Sequence, residues 1–429
     1  MNIFITGGNG YVAREIIIDL LAEGHTVTAC VRNTATCVLA AEKLRYVALD
    51  FQKSTSVSDW ASHVAHQDVV INCVGVFQTR TPKEMWDIHC TAPKALFDAC
   101  VSAGVKKIIQ ISALGIDQSD VDYARSKLAA ENHLHSLSID SVIIRPSFVY
   151  GASSYGGSSL FRGLASLPFV IFLPGSGEQL LQPIHVHDLT KIVCQSLLLN
   201  GKHLLCAVGS EKLSLRSILN KLRAWLGFGK AKNITLPFSL IRLTAKFGDF
   251  FRNSPLSSTG VKLMALDNVV PDEAFKTLTK TVGFTPRRFS DGLNRMVSGV
   301  QDRWHARLFF LRPALRLSLA FLWIATGVVS VIFAKAFAYP ILNAAHIPPV
   351  RQDFLCYSAS LIDCGLGFAL LCNYRVKLTA ALQLLFMLIF TGIITVMMPA
   401  YWLHPFGPVT KNIPLFIATL IMMAIESDR

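Results

Sequence analysis

The sequence predicts an α/β fold, a doubly wound parallel sheet in residues 1–300, followed by an all-α bundle of four membrane-spanning helices in residues 301–429. Three observations predict it. An apolar strand runs straight into a glycine-rich turn and a helix at the start of the chain. Strand-like and helix-like runs then alternate to about residue 150, and the last 115 or so residues are almost wholly apolar. Hydrophobic residues make up 52% of the 429, with a mean hydropathy of +0.44, well above an ordinary soluble enzyme.

Asn2-Ile3-Phe4-Ile5-Thr6 reads as the first strand, with no basic segment or cleavage site before it, so the front of the chain is expected to stay in the cytoplasm. Gly7-Gly8-Asn9-Gly10-Tyr11-Val12-Ala13 follows, then Ile16, Ile17, Leu20 and Leu21 at helical spacing up to Gly24. In such a turn Gly7 permits the tight bend, Gly10 lets backbone approach a pyrophosphate, and small Ala13 lets the helix pack on the strand. Thr6, Gly7, Asn9, Gly10, Tyr11 and Val12 are therefore candidate contacts to a dinucleotide.

The second strand, residues 26–31, ends in Arg32, where a site for NAD usually carries an acid for the ribose 2′-hydroxyl. A guanidinium suits a 2′-phosphate, so NADP is favoured, with NAD left open. A third strand ends at Leu49-Asp50-Phe51, where Asp50 can reach an adenine amino group. A fourth, residues 68–74, ends at Cys73-Val74-Gly75, again open to close approach. Further strands at 107–111 and 141–144 alternate with helices at about 83–103 and 121–137.

Ser112 ends the fifth strand, and eleven residues later come Tyr123 and Lys127, four apart on one helical face. There a lysine ammonium is expected to lower the phenol pKa, so that tyrosinate exchanges a proton with a substrate hydroxyl held by the serine.

The glycine turn, Asn72, Ser112, Tyr123, Lys127 and the run Arg145 to Gly151 resemble the extended and atypical short-chain dehydrogenase/reductase superfamily, whose Rossmann-like members include NAD-dependent epimerases and dehydratases. Residues 70–75, 111–115 and 123–127 are similar to the branch that holds the nucleotide-binding accessory subunit of respiratory complex I. The resemblance covers about residues 1–290. It implies Tyr123 as acid/base, Lys127 as its partner and a ribose contact, and Ser112 as the substrate-orienting hydroxyl. Gly7, Gly10, Ala13 and Arg32 would bind cofactor, with Pro146 and Ser147 flanking the nicotinamide. Some members of that branch hold NADPH as a structural element and turn nothing over.

Residues 151–300 read as a substrate-capping portion. His185 and His187 alternate as strand neighbours, and without a third ligand their expected role is packing and hydrogen bonding to Asp188 rather than metal binding. The amphipathic stretch Leu215–Leu226 is either a surface helix or one lying on lipid. Ten cysteines without a CxxC pair read as free thiols.

Net charge is −2 over residues 1–200, +10 over 201–300 and +5 over 301–429. With no nucleic-acid-binding motif, the basic excess ahead of the apolar tail points to anionic lipid headgroups and not to nucleic acid. Spans are expected at about 315–334, 354–373, 377–398 and a shorter 412–426. Arg303, Arg307, Arg312, Arg316, Arg375 and Lys377 put both termini on the cytoplasmic side of a cytoplasmic (inner) membrane; Lys335 and Arg351 in the outer loop are a mild counter-signal. Asp363 is an intramembrane acid and a candidate for function. This tail resembles the DoxX-like four-helix membrane family.

These readings predict a membrane-anchored, NADP-preferring reductase or dehydrogenase for a lipophilic carbonyl or alcohol. The alternatives are a nucleotide-binding assembly or stability factor of a respiratory membrane complex and, third, a nucleotide-sugar epimerase or dehydratase.

Overall fold

A computed structural model describes residues 1–249, 257–344 and 346–426. The chain divides into two units, Met1–Ala306 and Arg307–Arg429.

In the first unit seven strands form one parallel sheet. They are β1 (Asn2–Thr6), β2 (Thr26–Val31), β3 (Leu44–Ala48), β4 (Val69–Asn72), β5 (Lys107–Ile111) and β6 (Asp140–Pro146), joined by a strand at Lys202–Ala207. The order across the sheet is Lys202–Ala207, β6, β5, β4, β1, β2, β3, so the strand order, and not the strand direction, reverses between β1 and β4. At such a switch point neighbouring helices leave to opposite faces and open a crevice at the strand carboxyl ends.

Alternation on β1 shows why the sheet is covered twice. Ile3 and Ile5 join a core with Ile16, Ile17 and Leu20 of the Tyr11–Ala22 helix, while Phe4 between them joins Trp60, Leu96 and Phe97 on the other face. All three β1 side chains are fully buried, as a parallel sheet requires.

Several boundaries differ from the sequence reading. β3 stops at Ala48, because Asp50 and Phe51 already sit in a turn closed by the Lys53 N–H on the Asp50 carbonyl (2.9 Å). The stretch expected as one helix over 83–103 runs as Pro82–Trp86, a single π-helical turn at Asp87–Thr91, then Ala92–Ser102. The strand at Lys202–Ala207 went unrecognised within the capping portion, yet pairs with β6 over six residues and closes the sheet.

The rest of the capping portion holds three short strand pairs: Val149–Tyr150 with Ile184–His185, Leu180–Leu181 with Leu213–Ser214, and Val170–Pro174 with Lys232–Leu236. The helix at Leu215–Trp225 buries Leu215, Ile218, Leu219 and Leu222 in this portion, so its apolar stripe is core and is closed to lipid.

The helices Val300–Ile332, whose residues from Arg307 on belong to the second unit, Pro349–Leu371 and Val376–Met397 are long and apolar enough to cross a membrane. The first begins well before the expected span and carries Pro313 internally. The fourth, Asn412–Ile425, has 14 residues, so at about 1.5 Å per residue it is shorter than a hydrocarbon core of about 30 Å. Small residues let the helices close up. A Cβ on Gly327 would meet the Ser360 carbonyl at 2.8 Å, and one on Gly367 the Ala320 carbonyl at 2.9 Å.

One buried ion pair ties the first unit together. The Arg145 guanidinium on β6 donates to both Glu131 carboxylate oxygens (shortest 2.6 Å) and to Asp117 at 2.9 Å. Glu131→Leu leaves the buried guanidinium with only the half-exposed Asp117 as a carboxylate partner and is expected to cost about 3 kcal/mol in urea unfolding. The double variant Glu131→Leu/Arg145→Leu should recover most of that loss.

Candidate functional site

The crevice is built by what each strand places at its carboxyl end. After β1, Gly7 takes a positive φ of 68° and accepts the Gly10 N–H at 2.7 Å, closing the turn. The Gly8 N–H donates to the Cys30 carbonyl at 3.0 Å, and a Cβ on Gly8 would lie 2.8 Å from that of Ala29. A side chain on Gly10 would meet the Gly7 carbonyl at 3.0 Å. Gly10 leads into the Tyr11–Ala22 helix with no side-chain cap, so its first N–H groups are available to an anion. Val12 and Ala13 pack toward the core, and the Tyr11 hydroxyl is buried without a partner.

Asn9 donates to both the carbonyl and the hydroxyl of Thr36 at 3.0 Å, holding the turn against the loop after β2. Arg32 stands exposed at the head of that loop. The Asp50 carboxylate accepts the Gln52 N–H at 3.1 Å, while the Phe51 ring packs on Trp60 with centroids 5.0 Å apart. Phe51 therefore has only backbone left to offer a ligand.

At the switch point a polar chain crosses three strands. Thr6 Oγ1 donates to Asn72 Oδ1 at 2.5 Å, and Asn72 Nδ2 donates to Gln110 Oε1 at 2.7 Å. Thr6 also accepts the Cys73 N–H at 3.2 Å, which fixes the start of the Cys73, Val74, Gly75 loop. The Thr6 hydroxyl is thus spent on strand alignment. Ser147, after β6, is likewise committed to Asn268 Oδ1 at 2.5 Å, and Pro146 accepts the Leu114 N–H at 2.9 Å.

Ser112 differs. Its Oγ is buried with no hydrogen-bond partner, at the end of a strand whose other groups are satisfied. Beside it Lys127 Nζ donates to the Ile111 carbonyl at 3.4 Å and sits 5.6 Å from the centroid of the Tyr123 ring. A Cβ on Gly75 would lie 3.6 Å from the same ammonium, so Lys127 reaches over the loop after β4. Ser112, Tyr123, Lys127 and Gly75 thus gather at one corner of the crevice.

The electrostatics depart from the sequence expectation. Burial pushes the Tyr123 phenol above its ordinary value, and the lysine charge lies over the ring face and not at the hydroxyl, so it does not offset that effect. Lys127 itself is lowered to about 8 by burial, which Glu131 one turn along and Cys73 partly oppose. Burial raises the Cys73 thiol to about 12.

His89 escaped the sequence reading. It lies in the π-helical turn, its Nε2 accepting the Val76 N–H at 3.0 Å and its ring edge-on to Tyr123 at 5.2 Å. Burial holds it neutral, well below its usual pKa. Accepting at Nε2 leaves the proton on Nδ1, which faces Ser126 Oγ at 3.5 Å. A lone histidine in an apolar helix carries no spacing signal.

His185 and His187 do not act as the strand pair expected. His185 ends its strand and caps the following helix, its Nδ1 accepting the His187 N–H at 3.2 Å, while Asp188 is taken by Arg287 at 2.8 Å. A guanidinium with parallel donors outcompetes imidazole for a carboxylate. No metal-binding cluster occurs among the described residues.

The residues fit a dinucleotide. The glycine turn is a cradle that side chains would fill, the helix start is open to a pyrophosphate, and an orphan hydroxyl stands where a reacting oxygen would sit. A nicotinamide bound there would supply hydride exchange. The hydroxyls of Ser112 and Tyr123 and the Lys127 ammonium are the chain's own groups at that corner of the crevice.

Comparison with known proteins agrees with this class of site. The family model for NAD(P)H-binding proteins matches residues 7–159, and that of the DoxX-like family matches residues 320–420. The mouse mitochondrial protein "NADH dehydrogenase [ubiquinone] 1 alpha subcomplex subunit 9" is 30% identical over 197 residues, 44% of this chain and 50% of that protein. The chain thus spans about half the length of that relative. The 4-hydroxy-2-methyl-3-oxo-4-farnesyl-3,4-dihydroquinoline-1-oxide ketoreductase of Stigmatella aurantiaca is 24% identical over 58% of this chain and 80% of its own. Among solved structures, a UDP-glucose 4-epimerase from Thermotoga maritima superposes with a TM-score of 0.52 at 16% identity, covering 68% of this chain and 96% of that one. The chain joins an NAD(P)-binding Rossmann domain, with homologues of the extended short-chain dehydrogenase/reductase and epimerase-like kind, to a DoxX-like C-terminal domain.

Burying Lys127 has a consequence for stability without cofactor. Its pKa falls from 10.5 to about 8 on folding, so the folded state binds fewer protons between those values and stability rises with pH across that window. Lys127→Met should therefore stabilise the cofactor-free protein by about 3 kcal/mol below pH 8, at about 1.36 kcal/mol per pKa unit. The advantage should vanish near pH 10.5 in melting curves.

Proposed function

We propose that this protein is a membrane-anchored, NADP-preferring reductase or dehydrogenase acting on a lipophilic carbonyl or alcohol. The observation that carries the reading is the unpartnered Ser112 hydroxyl beside Lys127 and Tyr123 at the switch point. Ser112 would hold the substrate oxygen, and Tyr123 would exchange the proton with it. Lys127 would keep that oxygen's surroundings positive and reach the ribose. The second unit supports a lipid-soluble substrate, since three membrane-length helices give access to compounds that partition into the bilayer. The Stigmatella relative's name specifies a ketone on a farnesylated ring, a substrate of that kind. Arg32, exposed where an acid would select NAD, supports NADP. Arg307, Arg312, Arg316, Arg375 and Lys377 support a cytoplasmic nucleotide site in an inner membrane.

A second reading is favoured by one specific finding, the upward push on the Tyr123 phenol, which opposes tyrosinate formation. The mouse relative's name describes a subunit of a respiratory NADH dehydrogenase. Under this reading, the bound nucleotide stabilises a partner or assembly factor of a membrane complex and Tyr123 turns nothing over.

NADPH oxidation by full-length protein with farnesal or decylubiquinone separates the two. Turnover that falls at least 100-fold in Tyr123→Phe, with NADPH still bound, supports catalysis. Equal rates in the two proteins would leave only the second reading. Arg32→Asp should shift the ratio of NADPH to NADH affinity at least tenfold toward NADH, read by cofactor fluorescence titration.

A further inference from the structure

Inside the helical unit, among the described residues, four polar side chains away from the charged end at Arg316 and Glu426 are more than nine-tenths buried and carry atoms without partners. They are Trp323 at Nε1, Ser360 at Oγ, Asp363 at Oδ1 and Gln383 at both amide atoms. Helix register brings them to similar depth. Gly367 backs onto Ala320 and Ile324, and Gly327 onto Ser360 and Cys364; Trp323 lies between those contacts on one helix and Asp363 between them on the other. Ala380 packs in one buried layer with Leu319, Ala320, Leu370 and Met422, and Gln383 follows it by about one turn.

Threonines in the same bundle are closed, while Arg316 and Glu426 at the charged end are bound in part, each with one atom (Nε and Oε2) left open. Thr379 donates to the Tyr374 carbonyl at 3.1 Å, Thr419 to the Leu415 carbonyl at 3.0 Å, and Arg316 to Asn373 at 2.7 Å. Polar atoms left open in hydrocarbon are costly, and these five on four side chains of three helices are unlike the closed threonines beside them. The layer of Leu319, Leu370, Val376 and Met422 lies between them and the charged end at Arg316 and Glu426, while the outer helix faces are apolar. A ligand therefore reaches them from the bilayer.

We propose that this cluster binds the polar head of a lipid-soluble carbonyl or hydroxyl compound within the bundle. The indole N–H, the Gln383 amide and the Ser360 hydroxyl donate to its oxygens, and Asp363 and the Gln383 carbonyl accept from any hydroxyl. This site stands on the second unit alone and does not require turnover in the first.

The test uses full-length protein in nanodiscs, with decylubiquinone and farnesol as probes and decane as the headless control. Native mass spectrometry should show about one decylubiquinone or farnesol retained per chain and no decane. Occupancy should fall at least tenfold in Gln383→Leu and in Ser360→Ala, with NADPH binding unchanged. Ser360→Ala removes one hydroxyl and keeps the readout valid should Gln383→Leu fold poorly. Absence of both probes from the wild type would overturn the proposal. So would unchanged retention in the variants, whatever their melting temperatures, since that is the behaviour of polar groups with a packing role only. Neither result depends on NADPH oxidation, so it is separate from the fate of the Tyr123 test.

Discussion

The nucleotide-binding unit depends on the hydrogen-bonded chain that runs from Thr6 through Asn72 to Gln110 across β1, β4 and β5. These three side chains are almost fully buried, and each closes on the next, so none of them carries the penalty of an unmade bond. Their closure sets the strand ends level at the point where the order of the sheet reverses. The Gly7 turn on one side and the Cys73–Gly75 loop on the other are thereby fixed, and the crevice takes its shape from both.

Against that satisfied frame the unsatisfied groups stand out. Ser112 has no partner, whereas Ser147 and Thr6, equally well placed at strand ends, are bound to Asn268 and Asn72. Charge follows the same division. Arg145 is enclosed by two carboxylates and is stable where it is, while Lys127 is buried with one carbonyl and a distant carboxylate and gives up much of its proton affinity. A cation held so loosely is suited to a ligand that brings negative charge with it, as a dinucleotide phosphate does.

The helical unit obeys a harsher rule, because hydrocarbon offers no hydrogen bonds. Glycines at 327 and 367 bring backbones together, Thr419 closes on its own helix and Thr379 on the Tyr374 carbonyl just before its own, which is ordinary membrane packing. Trp323, Ser360, Asp363 and Gln383 break that pattern at one level of the bundle.

Much of this was legible in the chain itself. Hydrophobic periodicity and the glycine turn marked β1, β2 and β5 almost residue for residue, since local sterics and burial act over a few neighbours. Three of the four expected spans reach membrane length for the same reason. What required the tertiary structure was everything decided by distant partners. The Lys202–Ala207 strand is defined by its pairing with β6, some sixty residues away. The stripe of Leu215–Trp225 looks the same whether it meets lipid or a core, and only its neighbours decide. Asp188 chose Arg287 over the adjacent histidines, and His89 reached Tyr123 from a separate helix. The sequence placed Tyr123 and Lys127 on one helical face, a matter of spacing alone. The direction of the phenol's pKa depended on burial and on where the ammonium came to rest, which long-range packing determines.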